Sequence, residues 1–264
     1  MPLACLDGRV LDAADARLPV TDDGLLRGDG VFEVVRLYAG RPFALDDHLA
    51  RLDGSARGLR LPVDLGALRS DVGALLDAAP GHDGVVRLLV TRGGHRLAVL
   101  EDLRPGPPAT ALASVTYAPT RLLDGVKSLS YAANMLAGRL AAERGADEAL
   151  LVTPHGRVLE GPTRAFFYVL DGRLCTPPLD DHILDSITRR RLIALVEVTE
   201  RPTPLTDLAR ASEAFLASTT REVLPVRRVD DIELEAPGPR TREAAAAFRA
   251  HVEAELGVAV SPSA

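Results

Sequence analysis

Of the 31 lysines and arginines in this 264-residue chain, one is lysine, Lys127, and the other thirty are arginine. The difference is chemical. A guanidinium stays protonated and cannot condense with an aldehyde, whereas a desolvated amine can lose its proton and act as a nucleophile. Four further features stand around Lys127 along the chain: Arg51 before it, then Glu160, the run Ser186-Ile187-Thr188, and the run Ser218-Thr219-Thr220. Each has an ordinary reading taken alone: the residue of an arginine-rich composition, a solvated helix face, a solvent-side strand carboxylate, a helix start, a polar turn. Taken in order they supply an amine for an aldehyde and a carboxylate that keeps a heteroaromatic nitrogen protonated. They also supply helix N-terminal N–H groups, hydroxyls and a cation for a phosphate. That is the inventory of a pyridoxal-phosphate (PLP) site, with Lys127 carrying the cofactor as a Schiff base.

The elements that must position these groups follow from pattern. GVFEVVRLYAGRPFAL (30–45) reads as two β-rich runs joined by a turn at Ala39-Gly40. Asp46 can then cap a helix whose Leu49, Leu52, Ala56 and Leu59 recur at helical spacing and which carries Arg51. A second helix is expected over 64–79, ended by Pro80-Gly81, then a buried strand over 84–93 and another over 110–119. The Pro/Gly-rich stretch 104–109 and the segment 119–125 are the natural linkers. They put a domain boundary near 120, giving domains 1–119 and 120–264, with Lys127 in the second.

In the second half, a helix is expected over 133–146, terminated by Gly145. Turn signals at Pro154-His155-Gly156 and Asp171-Gly172 flank RVLEGPTRAFFYVL, which implies consecutive antiparallel strands with Glu160 inside the run. ILDSITRRRLIALV changes from loop to helix at Ser186 or Ile187. EAFLASTTREVLPV is strand, polar turn, strand, and an alanine-rich amphipathic helix covers about 239–256. No internal repeat or low-complexity segment is found beyond the short Ser/Pro tail.

Composition removes several classes of function. A net charge of −6 and no basic block argue against nucleic acid as a partner. Cys5 and Cys175 are far apart without CxxC spacing, so they read as strand residues rather than a disulfide framework or a zinc site. No signal-like N-terminus and no run of roughly 20 apolar residues is found, so a soluble cytoplasmic protein is expected.

The motifs RGDGVFEVVR (27–36), HLARL (48–52), VKSLSY (126–131), GADEALLV (145–152), GRVLEG (156–161), SITR (186–189) and STTREVLPV (218–226) occur in one order over most of the chain. In these the chain resembles the fold type IV PLP enzymes, which comprise branched-chain aminotransferases, D-amino-acid transaminases, (R)-amine transaminases and aminodeoxychorismate lyases. The resemblance implies an α+β protein of two α/β domains with the PLP site between them, in a homodimer whose sites borrow residues from the partner subunit. It makes Lys127 the Schiff-base lysine and the base that moves the α-proton, and Glu160 the partner of the pyridine nitrogen. Arg51, the N–H groups of Ile187 and Thr188, and Thr219 become phosphate ligands, and Tyr131 lies beside the phenolic oxygen.

On the substrate side the candidates are Arg27, Phe32, Arg92, Arg96, Arg164 and Thr220, any of the four arginines being able to take an α-carboxylate. His95-Arg96 is similar to the Arg/His pair that D-amino-acid transaminases use for this purpose, in a different order. Pro162-Thr163-Arg164-Ala165 departs from the family's Ser or Ala followed by Asn, Ser186 replaces a common glycine, and 196–202 is short. GDGVFEVVR with STTREVLPV looks closer to D-amino-acid transaminases than to the lyases. The expected reaction therefore moves an amino group between an amino acid, with D-amino acids favoured and (R)-amines possible, and a 2-oxo acid. A branched-chain L-amino-acid aminotransferase, an aminodeoxychorismate lyase and a non-catalytic PLP-binding protein remain as alternatives.

Overall fold

The structure is a computed structural model that describes residues 2–259, so the Ser/Pro tail lies outside the described residues. Its backbone forms two compact units, each an α+β arrangement with its own sheet and core. The first comprises residues 2–104, together with Val126–Tyr131 and residues 253–259. The second holds Pro105–Gly125 and Ala132–Val252.

In the first unit, β1 (Leu3–Leu6), β2 (Arg9–Asp12), β3 (Gly30–Tyr38), β4 (Arg41–Pro42), β5 (Gly84–Thr91) and β6 (Arg96–Asp102) form one antiparallel sheet in the order β2-β1-β6-β5-β3-β4. The short α1 (Asp23–Arg27) precedes β3. The helices α2 (Leu45–Gly58) and α3 (Leu65–Ala78) turn Leu49, Leu52, Ala56, Leu68, Val72 and Leu75 onto the sheet's Val31, Val35, Leu37, Val86 and Leu88. Burying each such leucine contributes about 1.5–3 kcal/mol, which fixes the helices and therefore Arg51. The Ala39-Gly40 hairpin turn is as expected, both residues having positive φ. Asp46 is not the cap of α2. Ala44 holds that position in a left-handed conformation without a side-chain bond, and Asp46 and Asp47 lie in the first turn, where their charge favours the helix dipole.

In the second unit, β7 (Thr110–Thr116), β8 (Glu148–Val152), β9 (Arg157–Val158), β10 (Ala165–Leu170), β11 (Arg173–Thr176), β12 (Thr199–Glu200), β13 (Thr203–Pro204), β14 (Ala211–Ser218) and β15 (Glu222–Val229) lie in the order β12-β11-β10-β14-β15-β7-β8-β9-β13, with β16 (Ile232–Glu233) on β15. The sheet is mixed: β7 runs parallel to both β8 and β15, and β10, β14 and β15 are antiparallel. One core forms on Phe166, Tyr168, Leu216 and Val226. A second lies where α4 (Ala132–Glu143) sets Ala137 and Ala141 against Ala149, Leu151 and Leu159. The helices α5 (Ile187–Leu195) and α6 (Pro239–Leu256) begin as the sequence implies, α5 after the cap Ser186, whose Oγ accepts from Arg189 N. Cys5 and Cys175 are buried strand residues of β1 and β11. No helix among the described residues is long and apolar enough to cross a membrane.

Two expectations differ from the backbone. The boundary near 120 does not describe the compact units, because β7 belongs to the second sheet while Val126–Tyr131 returns to the first. Glu160 lies just past β9 rather than within a strand, immediately before the isolated bridge between Gly161 and Arg164.

Candidate active site

In the first unit, the segment carrying Lys127 is laid along the outer end of β3. Lys127 O accepts from Phe32 N (3.2 Å), Leu129 N donates to Gly30 O (2.8 Å), and Lys127 N donates to Ser55 Oγ on α2 (3.0 Å). The approach is close enough to require a glycine at 30, since a Cβ there would lie 2.5 Å from Val90 O and 2.6 Å from the Leu129 side chain. With its backbone held on both sides, Lys127 places Nζ 4.2 Å from the centre of the Phe32 ring and 5.4 Å from that of Tyr131. The two rings meet edge to face with centroids 5.1 Å apart, so they brace one another.

On the same unit Arg51, its side chain 11% exposed, is gripped by Glu33. Nε and Nη2 donate to the two carboxylate oxygens at 2.6 and 2.8 Å. His48 Nδ1 lies 2.7 Å from Glu33 Oε2. Glu33 is wholly buried; burial raises its pKa, but the charge and hydrogen bonds of Arg51, followed by the bond from His48, overcome this and hold the carboxyl at about 2. Burial pushes the His48 imidazole below its ordinary range, against the pull of Glu33. Glu33 is therefore an ionised acceptor, and His48 is neutral with its proton on Nδ1.

The second unit holds the other cofactor-side candidates. Glu160 Oε1 accepts from Leu184 N (3.0 Å), and its backbone oxygen accepts from Leu151 N. Tyr117 lies in its field: burial first, then the charge of Glu160, raise the phenol's pKa. Ile187 and Thr188, both buried, form the first turn of α5, where N–H groups have no intrahelical acceptor. Thr219 and Thr220 are half-buried in the turn between β14 and β15. Beside them Ser218 Oγ is buried with no hydrogen-bond partner among the described residues.

These residues fit pyridoxal phosphate. An orphaned hydroxyl and a buried helix N-terminus in one unit are what a phosphate satisfies, and an aromatic-lined amine in the other is what an aldehyde requires.

The four candidate arginines are each engaged within their own unit. Arg92 spends its guanidinium on both Asp29 oxygens and on the carbonyls of Leu59 and Arg60. Arg96 pairs with buried Asp71 at 3.0 Å, and neighbouring His95 pairs with Asp7 at 2.8 Å. Arg164 pairs with Glu148; burial, then the charge of Arg221, push it down to about 10, which leaves it protonated at neutral pH. Arg27 makes an exposed pair with Asp23 and is 70% exposed. Residue-level reading of the sequence missed Glu33, His48, Ser55 and Tyr117. Glu33 carried a signal, being a carboxylate inside a largely apolar strand.

The sequence matches the family described as amino-transferase class IV over residues 30–229. It is 35% identical over 252 residues to a putative branched-chain-amino-acid aminotransferase of Methanocaldococcus jannaschii, covering 85% of this chain and 87% of the relative. It is 31% identical over 279 residues to the D-alanine aminotransferase of Bacillus licheniformis, covering 96% and 98%. Among solved structures, the PLP-bound form of a hypothetical aminotransferase from Mycobacterium tuberculosis superimposes with a TM-score of 0.86 at 26% identity, covering 96% of this chain and 99% of that one. With the family match and relatives that align nearly end to end, the chain belongs to the class IV aminotransferases, PLP enzymes of fold type IV.

Proposed function

We propose that this aminotransferase moves the amino group of a D-amino acid to a 2-oxo acid, with Lys127 as the residue that moves the proton. The observation that carries this reading is the Lys127 amine. It is the chain's single lysine, its backbone is held by Ser55 and Phe32, and its Nζ is set against the Phe32 and Tyr131 rings. Pyridoxal phosphate, when bound, supplies the aldehyde that takes up the amino group and the ring that accepts electrons. Lys127 Nζ would take the proton from the donor's α-carbon and deliver it, on the same face, to the cofactor carbon that had carried the aldehyde. Glu160, anchored by Leu184 N, would keep a proton on the pyridine nitrogen. Arg51, the N–H groups of Ile187 and Thr188, and the Thr219 hydroxyl would hold the phosphate, and Tyr131 would lie at the phenolic oxygen.

The D preference is supported by GDGVFEVVR with STTREVLPV, and by relatedness to a D-alanine aminotransferase over nearly the full length of both chains. Of the arginine candidates Arg27 has the least to give up, since its one exposed ion pair is worth little, and it is the proposed carboxylate ligand alongside Phe32 and Thr220. A branched-chain L-amino-acid reading is favoured by one observation: His95, Arg92 and Arg96, the groups on which a D-type carboxylate site would draw, are held by Asp7, Asp29 and Asp71.

Absorption of the PLP-loaded protein decides between them. The cofactor band is expected to collapse on adding D-alanine, D-glutamate or (R)-phenylethylamine and to persist with L-leucine. The reverse pattern makes the chain a branched-chain enzyme. A band that nothing shifts, with pyruvate released from aminodeoxychorismate, makes it a lyase, and without that release a PLP-binding protein. A homodimer belongs to the same reading. It is supported by exposed Val20, Leu25 and Leu26 in the first unit and Met135, Leu136 and Leu140 on α4, and light scattering of the holoenzyme tests it.

A further inference from the structure

A fully buried carboxylate on a strand whose other side chains are largely apolar needs a reason. Ion pairs of this kind are often no more stabilising than well-packed hydrophobic residues, so the pairing of Glu33 with Arg51 does not explain itself as a stability device. Its geometry is more informative. Glu33 takes the Nε/Nη2 edge of Arg51 with both oxygens, which fixes the plane of the guanidinium and the direction of its remaining edge. His48 bonds Oε2, so the carboxylate cannot turn to release one of the two contacts. The cluster contains one anion, one cation and a neutral imidazole. Arg51 can therefore stay buried in position before any phosphate arrives.

We infer that Glu33 is a positioning residue for the cofactor's phosphate, holding Arg51 in its binding geometry with His48 as the lock on Glu33. This inference rests on the reading of Arg51 as a phosphate ligand. Its physical content is preorganisation. The ordering of a long, flexible cation is completed in the empty protein, so phosphate binding does not bear that cost. The strand segment ties this to the amine, since Phe32, next to Glu33, accompanies Lys127 through its backbone and ring.

The test compares binding of pyridoxal phosphate with that of pyridoxal, which lacks the phosphate, to apoprotein, followed by the absorption of the adduct at Lys127. The ratio of the two affinities isolates the phosphate contribution, and the internal hemiacetal of free pyridoxal cancels between protein variants. Glu33→Gln is expected to lower the ratio about tenfold, the loss of one well-aimed charge-assisted bond, with pyridoxal affinity little changed. Glu33→Asp, which keeps the charge but cannot span both nitrogens, is expected to lower it as well and serves if the glutamine variant does not fold. In an Arg51→Met background, Glu33→Gln is expected to change the ratio no further. A ratio that stays at the wild-type value, or rises because Glu33 merely neutralised Arg51, overturns the inference. So does an equal loss of both affinities, which is the mark of a purely structural role. A wild-type apoprotein with no preference for the phosphorylated aldehyde overturns the phosphate-ligand reading of Arg51 itself, and this inference with it.

Discussion

Acid should weaken this fold through one identifiable carboxylate. Glu33 is held at about 2 against an ordinary 4.5, and it is fully buried, so solvent screening takes little away. The difference corresponds to about 3 kcal/mol of stability. Because the folded-state value is the depressed one, that stability is complete above pH 4.5 and is lost as the pH falls through 2. The perturbation is Glu33→Gln, made in a His48→Gln background so that the imidazole bonded to Glu33 adds no titration of its own while an N–H donor to Glu33 remains. Urea unfolding of the two proteins at intervals from pH 7 to pH 2 is the assay. At pH 7 the Glu33 protein should be the more stable, since the variant leaves Arg51 buried without its carboxylate. The gap should stay flat down to about pH 5 and then narrow by about 3 kcal/mol as Glu33 takes a proton. A gap that does not change between pH 5 and pH 2 would refute the assignment of Glu33 as an ionised, Arg51-bound group.

Three other outcomes are expected. Glu160→Gln should leave cofactor binding within a fewfold of wild type but slow the conversion of D-alanine by about 10²-fold or more in single-turnover absorption, since on the proposed assignment the pyridine nitrogen loses the carboxylate that would keep it protonated; an unchanged rate would remove Glu160 from the proposed mechanism. Gly30→Ala should cost about 1–3 kcal/mol in urea unfolding and depress adduct formation at Lys127, since the new methyl meets Val90 O and Leu129; wild-type values in both would show that the Lys127 segment does not depend on that close approach. Arg27→Ala should raise the KM for the 2-oxo acid about tenfold at unchanged Tm, whereas Arg92→Ala, which strands Asp29 and two carbonyls, should lower Tm with little change in KM. The opposite pattern would exchange their roles.

What the sequence made legible was local or compositional. Lys127 stood out by being alone, the Ala39-Gly40 and Asp171-Gly172 turns by residue type, and the start of α5 by the cap at Ser186. What it hid was pairing at a distance. Glu33 meets His48 and Arg51 across 15 and 18 residues, and Arg92 finds Asp29 across 63. Nothing in an arginine's neighbours along the chain says which aspartate will claim it, so Arg92 and Arg96 looked as available for a substrate as Arg27. GRVLEG continues an apolar run and so suggests a strand through Glu160, yet β9 ends at Val158 and Glu160 stands just before the isolated Gly161–Arg164 bridge. The Pro/Gly-rich linker pointed to a boundary near 120. The hydrogen bonds that return 126–131 to β3, nearly a hundred residues upstream, leave no trace in composition.

That return has a consequence for how such a chain can be rearranged by recombination. The first unit's main run ends at Arg104, but the strip Val126–Tyr131 joins it after β7 of the other sheet has been laid down, and residues 253–259 join it later still. A gene fragment cut at any single point before codon 131 encodes a first unit without part or all of the strip that carries its amine, and one cut after it drags a strand of the second sheet along. Neither half can be transplanted as a cassette. Chimaeras between relatives are expected to fold best when residues 1–131 and the segment from 253 come from one parent.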